Sequence, residues 1–102
     1  MRDLAAATGA VVLLKGPTTV VAEPGGAVLL AAAGDARLAT PGTGDVLTGV
    51  VAAFLAQGLD GLRAAALAAH VHGRAALLGP RVGFLAGDLP ELVSRFLSEK
   101  AP

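Results

Sequence analysis

Residues 40–58 read TPGTGDVLTGVVAAFLAQG, and this stretch decides the kind of fold that the chain encodes. From Leu47 onward, apolar residues recur at the i, i+3, i+4, i+7, i+8 spacing of one buried helix face. Gly58 follows as the expected C-terminal stop of that helix. Glycines and a proline in front of the helix predict a tight loop that leads directly into its first turn. The stretch therefore predicts a glycine-rich loop closed by an amphipathic helix.

The residues before this stretch form short apolar runs separated by turn residues. Residues 2–8 are predicted to be the end of a helix that Gly9 stops. Val11–Leu14 is an apolar run without polar alternation, which predicts a strand buried on both faces, as in parallel sheets. The Glu-Pro-Gly-Gly turn at residues 23–26 predicts a hairpin between the two strands beside it. The predicted extended segments are residues 11–14, 18–22, 27–32 and 37–40.

The residues after the stretch predict two further helices. Asp60 would cap the first, which runs through an alanine-rich segment towards Leu78 and is suited to close packing against a neighbour. Asp88 and Glu91 form a D-x-x-E pattern that predicts a capping box at the start of the last helix. Strands therefore precede helices, and a strand buried on both faces needs more sheet beside it. We expect residues 1–102 to be the C-terminal portion of a larger α/β domain whose N-terminal half is absent here.

Composition excludes several classes of function. The 102 residues, 54% of them hydrophobic, allow one small domain and argue against intrinsic disorder. Eight Lys and Arg balance eight Asp and Glu, so the chain lacks the basic surface of a nucleic-acid binder. Without cysteine there is no disulfide or thiolate zinc site, and two histidines are too few for a histidine-rich metal centre. No apolar stretch has the length of a membrane span. Because the chain has no cysteine, we expect a cytoplasmic protein.

Gly42, Thr43, Gly44 and Asp45 are the residues that point most clearly to chemistry. The amides of a first helical turn and the positive end of the helix dipole form a phosphate site, and glycines let the backbone close around it. A carboxylate in that place can take the proton from a hydroxyl that attacks a phosphoryl group. The alternative is that Asp45 only favours the start of the helix, because Asp near helix N-termini and Gly-x-Gly turns are common.

The longer strings around this loop resemble a known family. The strings are LAT, GTGD and VLTG at residues 38–40, 42–45 and 46–49, KGPTT at 15–19, HG at 72–73 and GFLAGDL at 83–89. The GTGD string is similar to the anion-hole motif of the ribokinase-like superfamily. Together, the strings resemble its carbohydrate-kinase-like branch, the ADP-dependent NAD(P)H-hydrate dehydratases. The resemblance covers nearly all of this chain but less than half of a family domain.

The resemblance implies a ribokinase-like three-layer α/β/α fold and a role for individual residues. Asp45 would be the catalytic base and would also touch the hydrated nicotinamide. Gly42, Thr43 and Gly44 would form the anion hole, with Gly44 near the nucleotide. The residues that would line the nucleotide side of the cleft are Lys15, Gly16, Pro17, Thr18 and Thr19. It also implies Mg²⁺ as cofactor, ADP or ATP as co-substrate, and hydrated NADH or NADPH as substrate.

Two positions depart from the family pattern. Asp35 stands where the family commonly has asparagine, which could alter ion or phosphate binding nearby. Pro41 replaces a small residue in front of the anion hole and has no N–H to donate. Any donor to an oxyanion must therefore come from Gly42 onward.

Three other polar residues have a simpler interpretation. Lys15 follows the predicted buried strand, at the sheet edge where open α/β sheets bind ligands, although a solvated turn lysine fits equally well. His70 and His72 are two residues apart on a predicted helix, so they point to different faces and cannot hold one metal. We interpret both histidines as packing or surface residues, and we expect the protein itself to form no metal site.

Three functions stay open. The leading hypothesis is a lyase in which Asp45 deprotonates the ring hydroxyl, magnesium assists phosphoryl transfer to it from the nucleotide, and phosphate then leaves. The same site would also serve a kinase that phosphorylates a small alcohol. The third hypothesis is a catalytically inert structural or oligomer-forming piece, because less than half of a family domain is present. A sheet left uncovered also predicts a homo-oligomer, and we expect the isolated chain to be inactive.

Overall fold

The chain folds as an α/β structure in which strands precede the long helices, as the sequence predicts. The computed structural model describes residues 2–16 and 18–100. Its strands are β1 (Val12–Leu14), β2 (Thr19–Ala22) and β3 (Val28–Ala31). Its helices are α1 (Arg2–Thr8), α2 (Thr43–Ala56), α3 (Gly61–Ala76) and α4 (Leu89–Lys100). Short 3-10 turns at Ala36–Ala39 and Ala86–Asp88 lead into α2 and α4.

The three strands form one antiparallel sheet with β2 in the centre. Leu13 of β1, Val21 of β2 and Leu29 of β3 lie side by side across it. The predicted turn joins β2 to β3, where the N–H of Gly26 donates to the carbonyl of Glu23 at 3.0 Å. Each strand begins and ends within one residue of its predicted bounds, because alternating apolar runs and turn residues are local signals.

The first strand differs from its prediction in both burial and pairing. β1 pairs antiparallel with β2 and is an edge strand of the sheet. Leu14 is 56% exposed, so the expectation of a strand buried on both faces is wrong for this chain. An apolar run predicts a strand that needs cover, but burial also requires covering elements. Among the described residues, no strand pairs with the second edge of β1.

α3 lies between the sheet and the other two long helices. Towards the sheet, Val21, Leu62 and Ala65 form a small apolar cluster. On the other side, α2, α3 and α4 share the main core, which includes Leu47, Phe54, Ala68, Val71, Leu89, Val93 and Phe96. The alanines of α3 are largely buried, which confirms that this helix packs closely against its neighbours. This position makes α3 the support for elements on both of its sides.

Residues 37–40 were expected to be extended, but Ala36–Ala39 form a 3-10 turn instead. The carboxylate of Asp35 accepts the N–H of Arg37 at 2.9 Å and so begins the turn. The N–H of Leu38 then donates to the carbonyl of Asp35 at 3.1 Å. A side-chain cap of this kind competes with extended pairing, which the apolar pattern alone does not reveal.

The capping box predicted for the last helix is also displaced. Asp88 accepts the backbone N–H of Leu85 at 2.9 Å and caps the 3-10 turn in front of α4. α4 itself begins at Leu89, so the predicted start of the helix is correct to one residue. The expected pairing of Asp88 with Glu91 is wrong, because the carboxylate is already used one turn earlier.

Candidate functional site

The start of α2 is an open helix end. Gly42 is its N-cap residue and has φ 91°, a conformation that side-chain-bearing residues rarely adopt. Because the cap is a glycine, no side-chain oxygen fills the space in front of the first turn. The N–H groups of that turn, with the positive end of the helix dipole, are therefore available to an anion. We call residues 42–45 the anion loop.

The donors of the anion loop are limited to a few amides. Pro41 has no N–H, and the N–H of Thr43 lies 3.4 Å from the carbonyl of Thr40. The amides of Gly44 and Asp45 follow in the first turn, where helical bonding supplies no acceptor. A Cβ built on Gly44 would meet nothing within 4 Å, so there is open space beside these amides.

Asp45 places a carboxylate at the exposed surface of the anion loop. Among the residues that the structure describes, none forms an ion pair or side-chain hydrogen bond with it. A carboxylate without a protein partner keeps its lone pairs for a proton donor that arrives with a ligand. The arrangement thus places open helix-end amides next to an exposed carboxylate that could accept a proton.

Thr43 ties the anion loop to the rest of the molecule. Its side chain is buried, and its hydroxyl donates to the carbonyl of Leu38 at 2.7 Å. The same hydroxyl oxygen accepts a hydrogen bond from Lys15 Nζ at 3.4 Å. Because the hydroxyl faces inward, any contact that Thr43 makes with an anion must come from its backbone.

His72, on α3, forms a further hydrogen bond to Thr43. His72 Nε2 lies 2.9 Å from the carbonyl oxygen of Thr43, and a carbonyl only accepts, so Nε2 carries the proton. His72 is only 1% exposed. Burial lowers the pKa of His72, the Thr43 carbonyl acts in the opposite direction, and the positive charge of Lys15 adds to the lowering. The lowered pKa favours the neutral imidazole, whose Nε2 donates to the anion loop.

A cavity of about 500 Å³ lies next to the anion loop. Its lining combines residues of the predicted nucleotide segment with the turn before α2 and the face of α3. The lining residues are Lys15, Gly16, Thr19, Ala33, Gly34, Asp35, Ala36, Leu38, Ala39, Leu47, Ala69 and His72. Lys15 and His72 both line the cavity and both contact Thr43, so the cavity and the anion loop are connected through shared residues.

Close backbone packing fixes α3 against the cavity wall. A Cβ added to Gly73 would lie 2.5 Å from both the carbonyl carbon and the oxygen of Ala33. The neighbouring Gly34 has φ 96° and approaches the Cα of Gly73. Only glycine at position 73 allows α3 to pack this closely against Ala33. This packing places His72 within hydrogen-bond distance of the anion loop.

The chain matches the NAD(P)H-hydrate dehydratase family over residues 1–98. The chain belongs to this family. The resemblance predicted from the motifs at residues 15–19, 42–45 and 83–89 is therefore confirmed.

Two relatives show how much of a family protein is present. The chain is 51% identical over 102 residues to the bifunctional NAD(P)H-hydrate repair enzyme Nnr of Mycobacterium leprae, covering 95% of this chain and 20% of that enzyme. It is 42% identical over 94 residues to the ADP-dependent (S)-NAD(P)H-hydrate dehydratase of Neisseria meningitidis, covering 87% of this chain and 32% of that enzyme. The chain thus spans about a fifth to a third of these dehydratase relatives.

A solved structure of the family has the same fold over this region. The ADP/ATP-dependent NAD(P)H-hydrate dehydratase from Bacillus subtilis, co-crystallised with ATP and Mg²⁺, matches with a TM-score of 0.88 at 33% identity. The match covers 96% of this chain and 37% of that one. The predicted fold class, part of a ribokinase-like α/β domain, is confirmed.

The structure brings together most residues of the site predicted for this dehydratase family, in two connected groups. Gly42, Thr43, Gly44 and Asp45 form the anion loop, and Lys15, Gly16 and Thr19 line the cavity beside it. Thr18 is exposed and is not among the residues that line the cavity. Pro17 lies outside the described residues.

His72 has a contact that the sequence did not predict. Its burial fits the predicted packing role, and its ring nitrogen also donates to the anion loop, 29 positions away in the chain. The available signal was its place directly before Gly73, since a glycine inside a helix marks a close backbone approach. His70, two positions away, is exposed and packs edge-on against Phe96 with ring centroids 6.3 Å apart.

The described residues contain neither a metal-ligand cluster nor a membrane-spanning helix. No group of three His, Cys, Asp or Glu residues in that part of the chain lies close enough to hold a metal ion. None of the helices found in residues 2–16 and 18–100 is both long and apolar enough to cross a membrane.

Proposed function

We propose that this chain forms the phosphate-binding part of an active site that dehydrates hydrated NADH or NADPH with consumption of ADP or ATP. The observation that carries the proposal is the start of α2, where a glycine cap, open first-turn amides and the exposed carboxylate of Asp45 coincide. The names of the Mycobacterium leprae and Neisseria meningitidis relatives support the choice of substrate.

Asp45 acts as the base in this proposal. Its carboxylate takes the proton of the ring hydroxyl as that oxygen attacks the terminal phosphorus, and the nucleotide leaves with the former bridging oxygen. The amides of Gly44 and Asp45 hold the charge that develops on the transferred group. Phosphate then leaves the ring carbon while a neighbouring carbon loses a proton, which restores the double bond of the nicotinamide.

The nucleotide enters from the side of β1. Lys15 follows that strand, and its ammonium group lies 3.4 Å from the hydroxyl of Thr43, next to the anion loop. A cation at this position attracts nucleotide phosphates towards the open amides. Gly16 and Thr19 line the cavity on the same side and provide close backbone and hydroxyl contacts.

Magnesium is compatible with this site only as a partner of the nucleotide. The described residues hold no cluster of three ligands, and Mg²⁺ is commonly bound by one or two carboxylates together with phosphates and water. Asp35 is the carboxylate among the residues that line the cavity, and it also pairs with Arg37 at 2.6 Å. When bound, the ion would neutralise phosphate charge.

Residues 1–102 form, in this proposal, the C-terminal portion of one ribokinase-like domain. An N-terminal half supplies the remaining sheet and the nicotinamide side of the cleft, as the coverage of 20% to 37% of the compared relatives suggests. We refer to these residues joined to such an N-terminal half as the complete domain. The isolated chain, which lacks the nicotinamide side, has no dehydratase activity.

A small-molecule kinase is the second candidate, because the anion loop and Asp45 would serve phosphoryl transfer to another alcohol equally well. Incubating the complete domain with hydrated NADH and ADP separates the two functions. Release of phosphate with recovery of reduced-nicotinamide absorbance supports the dehydratase. A stable phosphorylated product supports the kinase. The absence of both reactions identifies an inert structural piece.

A further inference from the structure

His72 holds the first helical residue of α2 from inside the molecule. We propose that His72 is a positioning residue that sets the geometry of the anion loop through the carbonyl of Thr43. The inference rests on the proposed function of that loop, and it adds a residue from a different element to the site.

The hydrogen bond between His72 and Thr43 resists displacement of the loop. His72 Nε2 donates to the carbonyl oxygen of Thr43 at 2.9 Å, and the imidazole is almost fully buried. A buried N–H that loses its acceptor bears a desolvation cost, since water cannot replace the partner. Displacement of Thr43 is therefore resisted by His72 as well as by the helical bonding of α2.

The helix that carries His72, α3, is held rigidly by its packing. α3 is packed between the sheet and the helices α2 and α4. The adjacent Gly73 lies so close to Ala33 that even a methyl group would clash with its backbone. The imidazole is thus fixed in position, and it transmits the position of α3 to the anion loop.

Thr43 lies where its position determines that of the next amides in the loop. Thr43 is the first helical residue of α2, directly between the Gly42 cap and the open amide of Gly44. Its hydroxyl is held by Leu38 and Lys15, while its carbonyl is held by His72. Fixing both ends of this residue fixes the direction in which the next amides point. Preorganised donors bind an anion better than donors that must first be ordered.

Two substitutions separate positioning from packing. His72→Leu fills much of the volume but removes the donor, whereas His72→Gln places an amide N–H where Nε2 lies. In the complete domain, we expect His72→Leu to weaken ADP binding about three- to ten-fold, the change that loss of one hydrogen bond produces. His72→Gln should retain ADP affinity within about two-fold. His70→Leu, the same change at an exposed position of α3, should leave ADP affinity unaltered.

Hydrogen exchange detected by mass spectrometry supplies a readout that does not require ADP. We expect the amides of residues 46–50, the first hydrogen-bonded turn of α2, to exchange faster in His72→Leu than in His72→Gln. Exchange over α4 should stay unchanged, which distinguishes a loosened loop from general unfolding. If His72→Leu does not fold, His72→Gln alone decides the question, because it must keep both the wild-type exchange and the wild-type affinity.

Equal loss of binding in both His72 variants, or no change in either, would overturn the positioning role. If the wild-type complete domain binds no ADP, the proposed function fails instead, and hydrogen exchange alone decides the role of His72. Exchange at residues 46–50 that is as slow in His72→Leu as in the wild type would then refute the positioning role.

Discussion

Thr43 is the residue at which most of the site's hydrogen bonds meet. Its carbonyl accepts from His72, and its hydroxyl donates to Leu38 and accepts from Lys15. Gly44, the residue after it, has no side chain, and a Cβ there would meet nothing within 4 Å, so the space beside its amide is open. The loop thus combines a firmly held centre with an unobstructed surface, which is the combination that anion binding requires.

Gly44 provides the first prediction at this scale. In Gly44→Ala the new methyl group occupies the open space beside the anion-binding amides, and we expect about a ten-fold loss of ADP affinity. Gly49→Ala is the matched variant, because a Cβ there also meets nothing within 4 Å and both positions lie in α2. Both changes should slightly stabilise the helix, by up to ~1 kcal/mol. Equal ADP affinity in the two variants, measured by calorimetry, would show that the loop does not hold phosphate.

His72 provides a prediction about pH. Burial lowers its pKa in the folded chain below the usual value of 6.5. As the pH falls through about 6.5, His72 is protonated in the unfolded chain before it is protonated in the folded chain. The free energy of unfolding therefore decreases. We expect this decrease in urea titrations between about pH 7.5 and about pH 5.5. His72→Gln cannot titrate and should show a smaller decrease, whereas identical slopes would contradict the prediction.

Among the elements, α3 has the largest influence because it supports the sheet on one side and the anion loop on the other. Its approach to the segment before α2 depends on Gly73, whose Cα lies against Gly34 and whose missing side chain leaves room for Ala33. The element therefore sets both the shape of the cavity and the position of His72. A change that moves α3 should affect stability and binding together.

Gly73→Ala tests this element directly. The added methyl group would lie 2.5 Å from the Ala33 backbone, so α3 must move away and the chain should lose about 1–3 kcal/mol of unfolding free energy. ADP affinity should fall as well, because His72 moves with the helix. Gly49→Ala, a helical glycine with free space, serves as the reference in the same denaturation experiment. Unchanged stability in Gly73→Ala would mean that the close approach is not rigid.

The sequence predicted the bounds of most strands and helices better than it predicted their burial and their contacts with one another. The bounds of the strands followed from apolar runs and turn residues, and the helix after residue 42 followed from its periodic stripe. The exposure of Leu14 and the 3-10 turn after Asp35 depend on neighbours and side-chain bonds that periodicity does not encode. Likewise the anion loop was visible as a local motif, whereas the link from His72 to Thr43 joins residues that are far apart in the chain.

At the scale of the whole molecule, the main feature is an incompletely covered sheet. β1 lies at one edge, and the side chains of Val11, just before it, and Leu14, at its end, are 36% and 56% exposed. An apolar sheet edge favours pairing with another chain. In the complete domain, we propose that the N-terminal half covers this edge.

The isolated chain should therefore self-associate or dissolve poorly. We expect light scattering to show a mass that rises with concentration, and Leu14→Lys to reduce this association, because a charge on an edge strand opposes pairing. Leu55→Lys changes a similarly exposed leucine on α2 and should have little effect. A stable, folded monomer at ~100 µM would contradict the incomplete-sheet interpretation.

Asp45 is, in our proposal, the base beside a loop that holds nucleotide phosphate. The most direct measurement is the steady-state rate of phosphate release by the complete domain with hydrated NADH and ADP, compared between wild type and Asp45→Asn. Asparagine keeps the shape of the side chain but cannot take the proton, so we expect turnover to fall by at least ~10²-fold with ADP affinity within a few-fold of wild type. Near-normal turnover of Asp45→Asn would contradict the claim.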